Sequence, residues 1–531
     1  MLSLFRHFRW ISAVALGLWL AAGLHAAAPA VEKKKASAPF EFKIARIRFE
    51  GATVIPRRDL DRLARTVEFQ KVTLAKLKAF TTAVRKLYQD RGYLLARAAI
   101  PPQKLKPGGD VLVVISEGLY GKIRVEGAKH YSKRFISRFF SPAMRHRIVE
   151  EESLQRQLLV INEFADMQVR SLFLPGEKLG TSDVLLKVHD RAPVHVGLDY
   201  NNYGSPLVGR NRAGLALWVG SVLAEGDEVT ARYTEPFPSI SDPLIQAGYS
   251  VPVGNGGNRI NYSFSSATTQ VGGDLTTLGI RGDAKIHALT WARPVLRTLS
   301  RSANVNAGFV VKSVQNFVLG NQQTSHDDLR ELTVSMDANF VAGKARTLSS
   351  VQMTQGLGTL LGGNKDGDSE SSRVGSGNEF TKWNVEVFHV RDLGHNRFFL
   401  GRFSGQVSLS PLTVSEQFGL GGPDSVRGYL QSDFLGDNGF SFSSELRQLI
   451  FTSSKKKLNV QAAAFFDHGD ASVLHPQQGE LHSHSFTGVG GGLRASLGRT
   501  TSLRADLGFP LTDHNSLKTD RILYAQLVNR W

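Results

Sequence analysis

From Val194 to Trp531 the chain never settles into helical spacing. Apolar and polar residues alternate in short runs, such as 282–296, 301–317, 328–342, 397–409, 439–450 and 457–471, and the count of runs comes to roughly sixteen. A period of two gives each run one apolar and one polar face. After residue 24 no stretch supplies the ~18 consecutive apolar residues that a membrane helix needs. If such a chain enters a membrane, it must do so as a closed sheet, because an open sheet leaves unpaired peptide groups in lipid. The links support closure. Those at 254–258, 297–300, 343–344, 394–396 and 498–500 are short, whereas those at 272–281, 318–327, 359–379, 410–438 and 472–484 are long. Short and long alternate, as turns on one side and loops on the other require.

The beginning of the chain fixes the compartment. Arg6, His7 and Arg9 precede an apolar run from Trp10 to Leu24, and Ala26, Ala27 and Ala28 follow. This reads as a secretory signal peptide over 1–28, then a lysine-bearing disordered leader over 29–39. The absence of cysteine suits transit through an oxidising periplasm. The net charge of +17 is spread along the chain instead of massed in one stripe, which argues against nucleic acid and fits a charged lumen or a lipopolysaccharide surface.

Between leader and strands lie two similar α/β units. In the first, Ile47 and Phe49 alternate with charged neighbours, Leu77, Phe80, Val84, Leu87 and Tyr88 share one helix face, and strands follow at 94–100 and 111–115. The pattern recurs with a strand at Ile123 and Val125, helices at 131–140 and 151–162, and strands at 167–173 and 184–188.

The longest informative loop is 410–438, and the stretch 416–439 that covers most of it reads EQFGLGGPDSVRGYLQSDFLGDNG. Its Val426-Arg427-Gly428-Tyr429, followed one strand later by Phe465-Phe466-Asp467-His468-Gly469, resembles the paired motifs of the BamA-like outer-membrane superfamily, particularly its two-partner secretion transporters (FhaC/ShlB-like). The phrases Arg91 to Leu94, Glu117-Gly118 and Leu174 to Val184 are similar to theirs as well. The resemblance implies polypeptide-transport-associated (POTRA) domains at 40–118 and 119–191, then a 16-stranded antiparallel transmembrane barrel at 192–531, whose sixth outward loop, 410–438, folds into the lumen. It implies that Val426, Arg427, Gly428, Tyr429, Phe465, Asp467 and Gly469 form the lumen lock. A buried guanidinium needs a carboxylate beside it, and Asp467 on the inner face is the candidate. Terminal Trp531 resembles the signal read by the barrel-assembly machinery, although Asn529 departs from that pattern. Relatives carry an N-terminal plug helix, for which 29–39 is too short.

No other chemistry competes. There is no G-x-S-x-G elbow and no Walker loop, and Gly488 to Gly492 lies in a strand pattern with no helix after it, so no catalytic residue and no cofactor is expected. Asn364, Asp366, Asp368 and Glu370 lack EF-hand spacing and read as a solvated outward loop. His468, His482 and His484 read as solvated instead of metal-bound. The expected function is export of an unfolded exoprotein, with outer-membrane lipid and lipopolysaccharide around the barrel, and periplasmic chaperones and the assembly machinery as partners in biogenesis. A BamA-like insertase is the alternative, and a passive porin would leave the 426–429 motif unexplained.

Overall fold

The computed structural model describes residues 41–531, apart from 105, 107, 146, 239–240, 513–515 and 517–518. The expected signal peptide over 1–28 and leader over 29–39 lie outside the described residues. The chain divides into two compact units, one running to Ala128 and resuming over Ile136–Asp190, the other comprising Lys129–Phe135 and Arg191–Trp531.

The first unit opens with β1 (Glu41–Glu50), α1 (Arg57–Ala64), β2 (Lys71–Thr73), α2 (Leu74–Asp90), β3 (Arg97–Ala99) and β4 (Gly109–Ser116), with sheet order β2-β1-β4-β3. The Thr73 hydroxyl caps α2 by accepting from Lys76 N at 3.2 Å. Leu77, Phe80, Val84 and Tyr88 then fall on one face and are buried with Ile44, Leu60, Val111, Val113 and Ile115. Each such side chain contributes roughly 1.5–3 kcal/mol of transfer free energy. Glu117 braces the turn after β1, accepting from Thr53 N at 2.6 Å, Val54 N at 3.0 Å and Tyr88 Oη at 3.0 Å. The Glu117-Gly118 phrase is therefore a structural brace. The spacing of apolar residues missed β2, three residues long, and gave β3 too many residues.

The second α/β segment runs β5 (Leu119–Glu126), α3 (Lys133–Arg138), α4 (Ser141–Met144), α5 (Glu151–Ile161), β6 (Met167–Pro175) and β7 (Thr181–Asp190), with sheet order β5-β7-β6. The single helix expected over 131–140 stops at Arg138, and Pro142 starts the next one because its fixed φ suits a first helical turn. The Leu174 to Val184 phrase makes the β6–β7 hairpin, where Gly176 N donates to Thr181 O at 3.0 Å. Its Asp183, 1 % exposed, accepts from Lys122 N at 2.8 Å and pairs with Arg124 at 2.7 Å.

Among the described residues the other unit holds sixteen strands that close into a barrel. They are β8 (Val194–Asn201), β9 (Asn211–Gly220), β10 (Glu228–Phe237), β11 (Leu244–Val253), β12 (Asn258–Gln270), β13 (Arg281–Arg297), β14 (Arg301–Val318), β15 (Gln322–Ala342), β16 (Ala345–Gly356), β17 (Thr381–Gly394) and β18 (Arg397–Ser408), then, after a small hairpin of β19 (Phe418–Leu420) and β20 (Phe434–Gly436), β21 (Asn438–Ser453), β22 (Leu458–Ser472), β23 (Ser483–Leu497), β24 (Thr501–Pro510) and β25 (Ile522–Arg530). Each wall strand pairs antiparallel with its neighbours, and β25 closes onto β8 through Gln526–Arg530 against Gly197–Asn201. The 501–510 sequence shows why the wall forms. Leu503, Leu507 and Phe509 point out, whereas Arg504, Asp506 and Gly508 point in.

One expected loop is corrected. The stretch 318–327 is not a long loop, because β14 and β15 continue as a ladder and only three residues, 319–321, turn between them. The polar residues of this stretch are held by loop 357–380, which donates Ser372 N to Asp327 at 2.9 Å and accepts His326 N at Glu370 O at 2.6 Å. The same contacts correct the solvated reading of Asn364 and Asp368. Asn364 bonds to the backbone of Asp328 and His326, and its amide donates to Asp368 at 3.1 Å.

Candidate functional site: the docked loop

The loop between β18 and β21 returns inward as the β19–β20 hairpin, with Phe418 opposite Gly436 and Leu420 opposite Phe434. Gly421 and Gly422, at φ +101° and +103°, turn the chain in a region open to glycine. The tip that follows rests on the inward faces of β21 to β24, where Val426, Arg427 and Tyr429 are 0, 2 and 0 % exposed.

Arg427 has all its nitrogens engaged. Nε and Nη2 reach the two oxygens of Asp467 at 2.7 and 2.8 Å, Nη1 reaches Glu445 at 2.7 Å, and Nη2 also donates to Ser443 at 2.9 Å. The Arg427 backbone N donates to Asp467 at 3.1 Å, and its guanidinium carbon lies 3.3 Å from the Phe465 ring centre. The expectation of one ion pair therefore needs correction, since Asp506 stands 3.5 Å from Nη1 and the carboxylates have further cations. Arg494 pairs with Asp506 at 2.6 Å and Glu445 at 3.0 Å, Arg504 pairs with Asp506 at 2.7 Å, and Arg447 pairs with Glu445 at 2.5 Å. Burial of one cation is tolerable because the network satisfies it on every side.

Glycines give the loop its seat. Phe465, Asp467 and Gly469 alternate inward from β22, and a Cβ on Gly469 would lie 2.6 Å from Leu420 Cδ1. On β23 a Cβ at Gly488 would lie 1.9 Å from Arg427 O, at Gly490 2.4 Å from Phe465 Cζ, and at Gly492 2.0 Å from Asp506 Oδ1. On β24 a Cβ at Gly508 would lie 2.6 Å from Gly428 N. Gly488 and Gly508 leave room for the backbone of the tip, Gly469 for the Leu420 side chain, and Gly490 and Gly492 for the side chains of Phe465 and Asp506. Gly428 itself has φ +108° and donates its N–H to Tyr524 Oη at 3.0 Å. Tyr429 stacks on Phe486 at 4.0 Å and 13°, and its hydroxyl donates to Thr487 O at 2.9 Å.

At the loop's root Glu416, 3 % exposed, pairs with Lys382 at 2.7 Å and with Lys312. Away from the loop, Trp531 is 58 % exposed and donates its N–H to Val196 O at 2.9 Å. His468 bonds to Thr487 at 2.9 Å, and among the described residues no group of three or more metal-ligating side chains comes together. The sequence reading missed Ser443, Glu445, Arg494, Arg504, Asp506 and Tyr524. The available signal was charge at alternate positions inside strands of a wall, as in Arg504 and Asp506.

The sequence profile of the haemolysin secretion/activation proteins ShlB/FhaC/HecB matches residues 180–495. This chain belongs to that family. A ShlB-type POTRA profile matches residues 42–118. The outer membrane transporter CdiB of Dickeya dadantii (strain 3937) is 26 % identical over 413 residues, which cover 76 % of this chain and 72 % of that one. The solved structure of CdiB from Escherichia coli superposes with a TM-score of 0.76 at 22 % identity, covering 95 % of this chain and 93 % of the other. BamA from Haemophilus ducreyi lacking POTRA domains 1–3 shares the fold at a TM-score of 0.53 and 12 % identity, covering 93 % of this chain and 100 % of that one. This member of the ShlB/FhaC/HecB family is an outer-membrane transporter of the two-partner secretion type, with its POTRA region in the periplasm, and it passes a partner exoprotein across the outer membrane.

Proposed function

We propose that the exoprotein crosses in unfolded form, that both α/β segments act as POTRA domains which capture it by strand addition at a sheet edge, and that loop 410–438 is the gate. Val426, Arg427, Gly428, Tyr429, Phe465, Asp467 and Gly469 form the lock that holds the gate across the lumen. Sixteen strands enclose a bore of porin width, which admits an extended or hairpin chain but not a folded domain. Folding of the exoprotein outside supplies the free energy, and no catalytic residue or cofactor takes part. Lipid and lipopolysaccharide surround the apolar belt. Trp531 serves as the assembly signal, with periplasmic chaperones and the barrel-assembly machinery acting before export begins.

The observation that carries the gate is the docked tip, in which each side-chain nitrogen of Arg427 donates to the wall. The test is Arg427→Ala in cells. A folded, heat-modifiable barrel is expected in the outer membrane while one exoprotein disappears from the medium, the same one that a deletion strain loses. Normal secretion by the variant would remove the assigned role. Loss of other outer-membrane barrels in the deletion strain would instead favour the insertase.

A further inference from the structure

Far from the tip, Asp437 is 0 % exposed at the root of the loop. Its carboxylate accepts Leu412 N at 2.8 Å, Leu474 N at 2.6 Å, and Arg373 Nη1 at 2.8 and 2.7 Å. Arg373 is 7 % exposed and donates in turn to Leu412 O at 3.4 Å and to Leu474 O. Arg373 belongs to loop 357–380, Leu412 and Asp437 to loop 409–437, and Leu474 to loop 473–482. One buried ion pair thus joins three consecutive outward loops.

Both charges come from loops, so the pair is not needed to close the wall. Burying two ions costs several kcal/mol each, and the arrangement persists because both Asp437 oxygens accept backbone N–H groups as well as Arg373, whose two terminal nitrogens also reach carbonyl oxygens. Its mechanical effect is to hold three loops together across the outward mouth. Its hydrogen bonds share no residue with those that Arg427 makes at the tip. Gln406 of β18 ties the two legs of the loop beside it, donating to Glu416 O at 3.0 Å and Asp437 O at 3.1 Å.

We propose that Arg373 and Asp437 form a second latch, at the outward mouth, which positions the three loops and must open during export independently of the tip lock. The inference rests on the transport reading. The chain contains no cysteine, so a single engineered pair can test it. Ser372 Oγ accepts from Val414 N at 3.1 Å between the first two loops, which puts Ser372→Cys and Val414→Cys within reach of a disulfide.

Two readouts on the whole protein decide the matter. With the cross-link complete on a non-reducing gel, export of the partner exoprotein falls at least tenfold and returns to the parent level on reduction. In planar bilayers Arg373→Ala conducts several times more than the parent, and the oxidised cross-link in that background restores the parent conductance. Export through a fully cross-linked mouth, or a conductance of Arg373→Ala equal to that of the parent, would overturn the latch. If Arg373→Ala yields no heat-modifiable barrel, Arg373→Lys takes its place, keeping the charge but losing the fork that spans the carboxylate and Leu474 O. A parent protein that exports nothing would sink the transport reading, and the conductance arm would still decide the latch.

Discussion

Replacing Arg427 by alanine should undock the loop tip by an amount that the contacts allow one to estimate. Asp467 is 0 % exposed, and Arg427 supplies its hydrogen bonds and its ion pair. Glu445 and Asp506 keep Arg447, Arg494 and Arg504, so Asp467 is the carboxylate stranded by the change. Removing one member of a buried pair costs about 3–5 kcal/mol. At 1.4 kcal/mol per decade this is about two to three and a half orders of magnitude in the docked-to-undocked ratio. Val426→Cys places a lone thiol at a position that is 0 % exposed when docked, so its maleimide labelling rate reports the undocked population. Adding Arg427→Ala should raise that rate at least 100-fold. Adding Asp467→Asn to the alanine variant should recover part of the loss, because the stranded charge is then gone. A rate within threefold of the parent, or strictly additive effects of the two substitutions, would refute the reasoning.

Gly488→Val should undock the same tip without touching any charge, since its first side-chain atom would overlap Arg427 O; overpacking of about 1–3 kcal/mol predicts roughly 5- to 150-fold faster labelling in an otherwise folded barrel. Glu416→Gln should loosen the root by leaving Lys382 without its carboxylate partner, which limited proteolysis within 409–418 would register as faster cleavage. The carboxyl of Asp183 is held below its ordinary 3.8, first by the Lys122 backbone N–H and also by Arg124. A depressed value stabilises the fold in full above 3.8, and that stability is lost as the pH falls through the folded value, so hydrogen-exchange protection of β5 and β7 should be flat from about pH 7 to 5 and decline below about pH 4. Arg124→Ala should flatten that decline.

The barrel was readable because its two faces lie in opposite surroundings, which forces alternation in every strand and lets lengths of links mark the two rims. Reading failed where neighbours far along the chain decide the outcome. Thr324 to Asp327 looks like a loop by composition, and it is strand because it pairs with β14 while the 357–380 segment binds His326 and Asp327 from the other side. Apolar spacing draws one helix over 131–140, whereas the helix stops at Arg138 and Pro142 starts a further short one over Ser141–Met144 that the spacing does not show. At the loop tip the sequence points to Arg427 and Asp467 through a paired motif, but Glu445, Arg494 and Asp506 sit on separate strands with no local signature joining them. The Asp437 latch is harder still, for its partners come from three loops whose mutual placement depends on the whole ring of strands.

The bare stretch of wall under the loop tip changes character once the tip departs. Gly488 and Gly508, which meet Arg427 O and Gly428 N while the tip is docked, then present naked peptide edges to water, so the conduit gains a shallow trough as deep as the missing side chains. The vacated seat therefore stays hydrated until the same loop, or a passing backbone of similar slimness, lies down in it.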